Sequence, residues 1–305
     1  MQCVFLLAAF LSAPVGCGRD AEKQYEVTIW GGIGRRDGRF VHPRAVEVEH
    51  DGNVLVLDET GRIQRFSPEG RFLAGWRLPT TQNGTAWNMA ASPDGEIFVP
   101  DTHYSRVLVY SRQGELVRQW GEYGESPGQF IYPVGVDLDA EGRVFVGEYG
   151  GNDRIQVFSP EGKFLYQWGA FGTEEGQFRR PGSLAFDAQG KLWVADMANC
   201  RLQVFGARGK LLTTHCGPGD GPGELRFPYG IAPGKAGKML VVEYGNNRIQ
   251  IFDQAGGSLR CIGGPGRSVG EFAAPRGIDV DAEGRVFVAD WDNHRVQCIK
   301  LSQER

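Results

Sequence analysis

Hydrophobic and polar residues alternate with a period of two along short segments that are separated by glycine-containing turns. This alternation is typical of half-buried β-strands, whereas an amphipathic helix repeats about every 3.6 residues. The pattern is clearest in the middle of the chain, where it predicts strands over residues 135–138, 144–146, 154–158 and 164–168. From Tyr25 onward no segment has the pattern of a long amphipathic helix. The sequence therefore predicts an all-β fold of short antiparallel strands.

The unit that contains these four strands recurs six times. In each unit a carboxylate is followed, after a short loop, by an arginine; these are Asp58 with Arg62, Asp101 with Arg106, Glu148 with Arg154, Asp196 with Arg201, Glu243 with Arg248, and Asp290 with Arg295. Successive arginines are 44, 48, 47, 47 and 47 residues apart. Five units open with a proline, namely Pro43, Pro133, Pro181, Pro228 and Pro275. The second unit reads Ala86-Trp87-Asn88 at that place.

Four strands in a unit of this length are typical of one blade of a β-propeller. The repeated unit resembles the NHL repeat. Its cycle reads P-x-G-(V/I), then D-G-x-(V/I)-x-V-(A/G)-(D/E), then N-x-R-(I/V)-Q-(V/I)-F, and it runs in phase from Tyr25 to Leu301. The Gly-His and Trp-Asp signature of WD40 propellers does not recur in these units. The resemblance implies a six-bladed propeller of four-stranded blades, with residues 25–305 as a single domain.

The two ends of the repeat array predict how the ring closes. The sixth unit ends at its third strand, over residues 296–301, and has no fourth. Trp30 stands ten residues before Phe40, just as Trp120 stands ten before Phe130. We therefore expect residues 26–30 to be the outer strand of the last blade. Such pairing removes strand edges that would otherwise promote aggregation.

The first 17 residues have the pattern of an export signal. Residues 4–14 are an apolar run too short to span a bilayer, and a small residue then precedes Cys17. This arrangement resembles the bacterial lipoprotein signal, which implies a signal peptide over 1–17, a lipidated Cys17 and a short linker over 18–24. The protein would then be periplasmic or at the cell surface, anchored by lipid to a bacterial membrane. An ordinary cleaved signal and a misassigned start are the alternatives.

Composition and charge narrow the classes of partner. The 45 glycines fit many tight turns, and the formal charge of −4 gives no general attraction to nucleic acid or to anionic membranes. We therefore expect a monomer with no nucleic-acid partner and with no membrane contact except the lipid anchor. No C-x-x-C pair is present, so Cys200, Cys216, Cys261 and Cys298 are expected to be buried thiols. Neither a metal nor a cofactor is expected.

The strand order predicts which face carries a site. The first strand is innermost, so the residues after the blade-start prolines should ring the channel mouth; they are Arg44, Trp87, Val134, Gly182, Tyr229 and Arg276. Loops between second and third strands should add His103, Tyr104, Tyr149, Met197, Tyr244 and Trp291. The ligand-binding candidates are Arg44, Trp87, Tyr149, Tyr229, Tyr244, Arg276 and Trp291, because concave aromatic surfaces with a few charges suit ligands. The repeated carboxylate–arginine pairs are expected to be structural.

No catalytic residues are assigned. The NHL family includes zinc-dependent peptidyl-hydroxyglycine lyases, whose metal histidines follow the blade-start proline, and this sequence has no Pro-His pair. Its five histidines, His42, His50, His103, His215 and His294, occupy different positions of the repeat. RNA-binding NHL propellers rely on a strongly basic face, which the carboxylates offset here. The chain instead resembles receptor-kinase sensor propellers and free-standing NHL lipoproteins. We expect a non-enzymatic extracytoplasmic scaffold for a protein, peptide or saccharide; an unrecognised hydrolase or lyase is the alternative.

Overall fold

Each of the six repeats forms one antiparallel sheet in the computed structural model of this chain. The structure describes residues 9–11 and 25–302, with only the backbone for 9–11. The signal cleavage site, Cys17 and the linker over 18–24 lie outside the described residues. The six sheets are the blades of a closed propeller, as the repeat predicted.

Five blades take their four strands in chain order from the inside of the ring to the outside. The first two blades contain β3 (Pro43–Val48), β4 (Val54–Asp58), β5 (Arg62–Phe66), β6 (Phe72–Arg77), β7 (Ala90–Ala91), β8 (Ile97–Asp101), β9 (Arg106–Tyr110) and β10 (Leu116–Trp120). The third and fourth contain β11 (Tyr132–Leu138), β12 (Val144–Tyr149), β13 (Arg154–Phe158), β14 (Phe164–Trp168), β15 (Pro181–Phe186), β16 (Leu192–Asp196), β17 (Arg201–Phe205) and β18 (Leu211–His215). The fifth contains β19 (Pro228–Pro233), β20 (Met239–Glu243), β21 (Arg248–Phe252) and β22 (Ser258–Gly263).

The sixth blade combines both ends of the chain. Its inner strands are β23 (Pro275–Val280), β24 (Arg285–Asp290) and β25 (Arg295–Leu301), and its fourth is the N-terminal β2 (Tyr25–Gly31). All seven residues of β2 pair antiparallel with β25. The predicted closure is therefore confirmed. Strand β2 is one residue longer at each end than the predicted range 26–30. A short strand, β1 (Ala9–Leu11), pairs with the outer edge of β2.

The core lies between neighbouring blades, where the faces of adjacent sheets pack together. A fully buried phenylalanine or leucine occupies the same position of the inter-blade loop in five repeats. These residues are Phe40, Phe130, Phe178, Leu225 and Phe272. Trp30 packs against the turn of the first blade, where Gly70 has a positive φ of 85°. A Cβ at Gly70 would lie 2.5 Å from the Trp30 ring, so this turn requires glycine.

The second blade departs from the regular pattern. Its inner strand β7 has two residues, whereas the inner strands of the other blades have six or seven. This is the repeat that lacks the blade-start proline. In the part of the chain described, helical structure is limited to three short 3₁₀ turns, Thr102–Tyr104, Met197–Asn199 and Lys235–Gly237. None of the helices among the described residues has the length and apolarity needed to cross a membrane.

Removing residues 18–31 should destabilise the whole ring, because Val27 and Trp30 are buried in the last blade. Trp30→Ala alone should lower the free energy of unfolding by about 3–5 kcal/mol, the usual cost of emptying a large aromatic site. Chemical denaturation measures both effects. Removal of residues 1–17 is the matched control. A chain that starts at Asp37 and unfolds at the same denaturant concentration as the control would contradict the closure.

Candidate binding site at the channel mouth

The repeated carboxylate–arginine pairs form in every blade. Their N···O distances range from 2.5 to 2.9 Å, and all six carboxylates are fully buried. In the third blade Arg154 also donates to the carbonyls of Glu125 and Gln129, and Glu148 accepts from the Ile131 amide. In five of the six blades the arginine contacts loop carbonyls in this way, so the pair fastens the incoming inter-blade loop to the blade that follows it; the exception is Arg106 in the second blade.

The six residues predicted to ring the channel all line one cavity of about 290 Å³ along the axis of the propeller. They are Arg44, Trp87, Val134, Gly182, Tyr229 and Arg276. Each lies at the start of an inner strand or, in the second blade, just before it. The period of the repeat thus brings six residues that are far apart in sequence to one opening.

Trp87 occupies the centre of this opening and contacts side chains from the other five blades. Its ring is stacked on Tyr229 of the opposite blade, with centroids 5.8 Å apart and planes 14° apart, and lies 6.4 Å from the Tyr149 ring. The guanidinium carbons of Arg44, Arg180 and Arg276 lie 5.6, 5.9 and 5.7 Å from the Trp87 ring centre. The mouth is therefore an aromatic platform surrounded by three cations.

Among the described residues, aromatic rings surround the Arg276 guanidinium. Its guanidinium carbon lies 4.0 Å from the Trp291 ring centre, 5.0 Å from that of Tyr229 and 5.8 Å from that of Tyr244. Its Nε is buried without a hydrogen-bond partner, and no carboxylate among the described residues forms an ion pair with it. Cation–π contacts offset part of the cost of burying this charge. The guanidinium keeps its capacity to bind an anion.

Arg44 has more polar partners than Arg276. Its Nη1 donates to Thr85 Oγ1 at 2.7 Å, and its Nη2 lies 3.8 Å from Glu59 Oε2. Burial lowers the pKa of Arg44, and the positive charge of Arg276 lowers it further. The two arginines thus repel each other, as expected for cations from adjacent blades. Glu59 neutralises only part of this charge.

Tyr229 and Tyr149 at the mouth are neutral. Burial raises the pKa of Tyr229 to about 12, and the three nearby arginines reduce that rise. Burial also raises the pKa of Tyr149. Both hydroxyls can therefore donate a hydrogen bond to a ligand at any physiological pH.

Some loop residues expected near the mouth serve other contacts. Tyr104 accepts a hydrogen bond from the Asn83 amide, the His103 ring packs against Tyr132, and Met197 is buried beside Gly182. The sequence analysis did not place Arg180 in the site, because it considered the residues after the blade-start prolines and the loops between second and third strands, and Arg180 belongs to neither group. Arg180 stands directly before Pro181, and its charge next to a blade start was the available signal.

A second set of charges lies deeper in the channel. Glu47, Asp137 and Asp279 occupy the same position of three inner strands and line the same cavity. They accept hydrogen bonds from the amides of Ala91, Phe186 and Val48 in neighbouring blades. Burial raises the pKa of Asp137 to about 7 and that of Asp279 to about 6, and it raises that of Glu47 well above its ordinary value.

No group of three His, Cys, Asp or Glu side chains within the described ranges is arranged to hold a metal ion. The cysteines at 200, 216, 261 and 298 are thiols rather than disulfides, and Cys298 is buried. Burial raises the pKa of both Cys216 and Cys298 to about 12, so neither is a reactive thiolate.

Solved structures share this architecture. Virginiamycin B lyase from Staphylococcus aureus is similar with a TM-score of 0.64 and 17% identity, over 91% of this chain and all of that chain. An auxiliary nutrient binding protein from Bacteroides thetaiotaomicron is similar with a TM-score of 0.69 and 12% identity, over 92% of this chain and 78% of that one. At these identities the likeness concerns the fold.

Curated relatives match part of the chain. Protein brain tumor of Drosophila melanogaster is 29% identical over 131 residues, and peptidylglycine alpha-amidating monooxygenase of Rattus norvegicus is 30% identical over 116 residues. These matches cover 39% and 32% of this chain, and 12% of each relative's length.

The fold and the repeated ion pairs define a six-bladed β-propeller closed by its N-terminal strand. The NHL repeat model matches residues 178–205 and 272–299, in the fourth and sixth blades, and the other blades repeat the same four-stranded structure. The NHL repeat is thus shown in these two blades, and the six-bladed architecture in the whole ring.

The buried channel carboxyls should make stability fall as pH rises. Their pKa values in the folded state lie above the ordinary value of about 4, so the protonated forms stabilise the fold. This contribution is complete below about pH 4 and is lost as the pH passes through about 6 to 7. Asp137→Asn should flatten the fall in unfolding free energy between pH 5 and 8, measured by urea titration. Asp94→Asn, in an exposed turn, is the control. An unchanged slope in Asp137→Asn would contradict this account.

Proposed function

We propose that this chain is a non-catalytic binding propeller that works outside the cytoplasm and takes an anionic ligand at the channel mouth. The observation that carries the proposal is Arg276, a half-buried guanidinium surrounded by aromatic rings, with neither a carboxylate nor a hydrogen-bond acceptor from the described residues. A buried charge without a counter-charge is costly. An anion bound there would supply the missing partner.

The surrounding groups support the same conclusion. Arg44 shares the mouth with Arg276, and an anion between them would relieve their repulsion. Trp87, Tyr229, Tyr244 and Trp291 offer flat apolar surfaces next to the two cations. This chemistry suits a peptide or a saccharide that carries an anionic or planar group. The similar fold of a nutrient binding protein is consistent with a binding role.

A lyase or hydrolase is the second candidate, and one observation favours it. His42 and His294 lie with ring centroids 4.2 Å apart, and Glu59 Oε2 is 3.6 Å from His42 Nδ1. The His42 amide donates to His294 Nδ1 at 3.0 Å, so that nitrogen is unprotonated. Chromatography coupled to mass spectrometry of a ligand after prolonged incubation separates the two functions, because only an enzyme converts the ligand into a product with a different mass or retention time.

The anionic site should depend on both arginines. A double substitution, Arg44→Ala with Arg276→Ala, should weaken binding of an anionic saccharide or peptide at least tenfold, since a hydrogen bond to a charged group contributes about 1.5–3 kcal/mol. Calorimetric titration of an anion panel measures the affinity. Arg112→Ala is the control, because Arg112 is an exposed arginine paired with Asp51, in a turn at the other face. A folded double variant with unchanged affinity for every ligand would exclude this face.

The proposed location depends on Cys17. Cys17→Ser should release the protein from the membrane fraction of a bacterial host, because a lipid chain can be attached only to the cysteine. Fractionation followed by immunoblotting measures the distribution. Cys3→Ser, within the same segment, is the matched control and should stay with the membrane. Equal membrane association of Cys17→Ser and the unaltered protein would rule out the anchor.

A further inference from the structure

Three arginines approach the Trp87 ring from different sides of the channel. Arg44 belongs to the first blade and Arg276 to the sixth, which are neighbours in the closed ring. Arg180 precedes the inner strand of the fourth blade, opposite the first. All three guanidinium carbons lie within 6 Å of the same ring centre. A ligand seated on Trp87 therefore meets positive charge on two opposite sides.

Two of these cations have no counter-charge among the described residues. Aromatic rings surround the Arg276 guanidinium, as described above. The Arg180 guanidinium lies 4.6 Å from the Tyr149 ring centre and forms no ion pair. Asp153, which contacts the Arg180 backbone, accepts hydrogen bonds from the amides of Arg180, Gly150 and Gly151. Both arginines are thus available to anionic groups, whereas Glu59 partly neutralises Arg44.

The position of Arg180 is fixed by its backbone. Its φ is +64°, in the left-handed region that few residues other than glycine adopt, and Asp153 Oδ1 holds its amide at 2.6 Å. His42, Phe227 and Ala274, which precede the blade-start prolines elsewhere, have φ values of 49° to 52°. Four of the five residues that precede a blade-start proline therefore share this conformation although their side chains differ; the exception is Tyr132. The fourth blade uses this fixed position to direct a cation toward the mouth.

The platform between the arginines suits a saturated ring. Trp87 and Tyr229 are stacked, and Trp291 and Tyr244 continue the aromatic surface on the Arg276 side. The indole nitrogens of Trp87 and Trp291 are buried and have no acceptor among the described residues. A cavity of about 290 Å³ is at the small end of the range for ligand pockets, which favours a short, compact ligand.

Resting on the proposed function, we infer that the ligand is an acidic oligosaccharide with at least two carboxylates. One carboxylate binds Arg276 with support from Arg44, a second binds Arg180, and a sugar ring lies on Trp87 between them. The planar guanidinium fork matches a carboxylate with two parallel hydrogen bonds, which gives such pairs both strength and orientation. Arg180 is then the residue that selects ligands with a second charge.

The test compares uronic acid ligands that differ in charge. Galacturonate, digalacturonate and trigalacturonate are titrated into the protein by calorimetry at neutral pH and low salt, with neutral cellotriose as the uncharged ligand. Digalacturonate should bind at least tenfold more tightly than galacturonate, and cellotriose should bind more weakly than either. A tetraglutamate peptide is titrated in parallel, because it carries the charge without the sugar.

The variants assign each charge to its arginine. Arg180→Ala should reduce digalacturonate affinity to the galacturonate level and leave galacturonate unchanged, whereas Arg276→Ala should weaken both. Arg179→Ala is the matched control, because this neighbouring exposed arginine lies over Phe171 rather than Trp87. Arg180→Lys keeps the positive charge but loses the planar guanidinium. It should therefore retain part of the higher affinity for digalacturonate over galacturonate.

The outcomes separate this inference from the proposed function. Equal affinity for one and two carboxylates, or an unaffected Arg180→Ala, overturns the inference but leaves anion binding at Arg276 intact. Tight binding of tetraglutamate without binding of the uronates overturns it in favour of an acidic peptide. Binding that is indifferent to Arg44→Ala with Arg276→Ala overturns the proposed function itself.

Discussion

The buried ion pair between a carboxylate and an arginine in every blade is the contact on which the ring and its mouth depend. In the third blade Glu148 holds the amide that leads into the inner strand, and Arg154 holds the carbonyls of the loop before it. Loss of one partner from such a pair typically costs about 3–5 kcal/mol, because the other charge stays buried and alone. The pair sets the path by which the chain enters each blade. That path places the next few residues at the channel mouth.

The second blade shows what happens when this arrangement is relaxed. Arg106 still pairs with Asp101, but its other contacts are the side chains of Gln119 and Thr80 rather than loop carbonyls. The blade-start proline is missing and β7 is short. Trp87 lies at this irregular entry and contacts the blade on the far side of the channel. The central position of Trp87 in the site therefore comes from the second repeat, which lacks the blade-start proline and the full-length inner strand.

The architecture could be predicted from sequence because it depends on period and phase. Strands at 154–158 and 164–168 have the predicted bounds, and Trp30 closes the ring as its spacing from Phe40 indicated. The details of the mouth could not be predicted, because they depend on how far side chains reach across the channel. His103 and Met197 lie in 3₁₀ turns that direct them to local contacts. The role of Arg180 depends on a left-handed backbone that the repeat imposes and that hydrophobic periodicity does not reveal.

The channel carries charge of one sign at its mouth and of the other sign below. Arg44 and Arg276 lie at the opening, while Glu47, Asp137 and Asp279 line the interior of the same cavity. An electric field therefore runs along the propeller axis, and it becomes steeper as the inner carboxyls lose their protons. An anion is attracted to the entrance and repelled from the interior. A negatively charged molecule at the mouth would therefore be held at the surface of the ring, because ionised carboxyls lie below it.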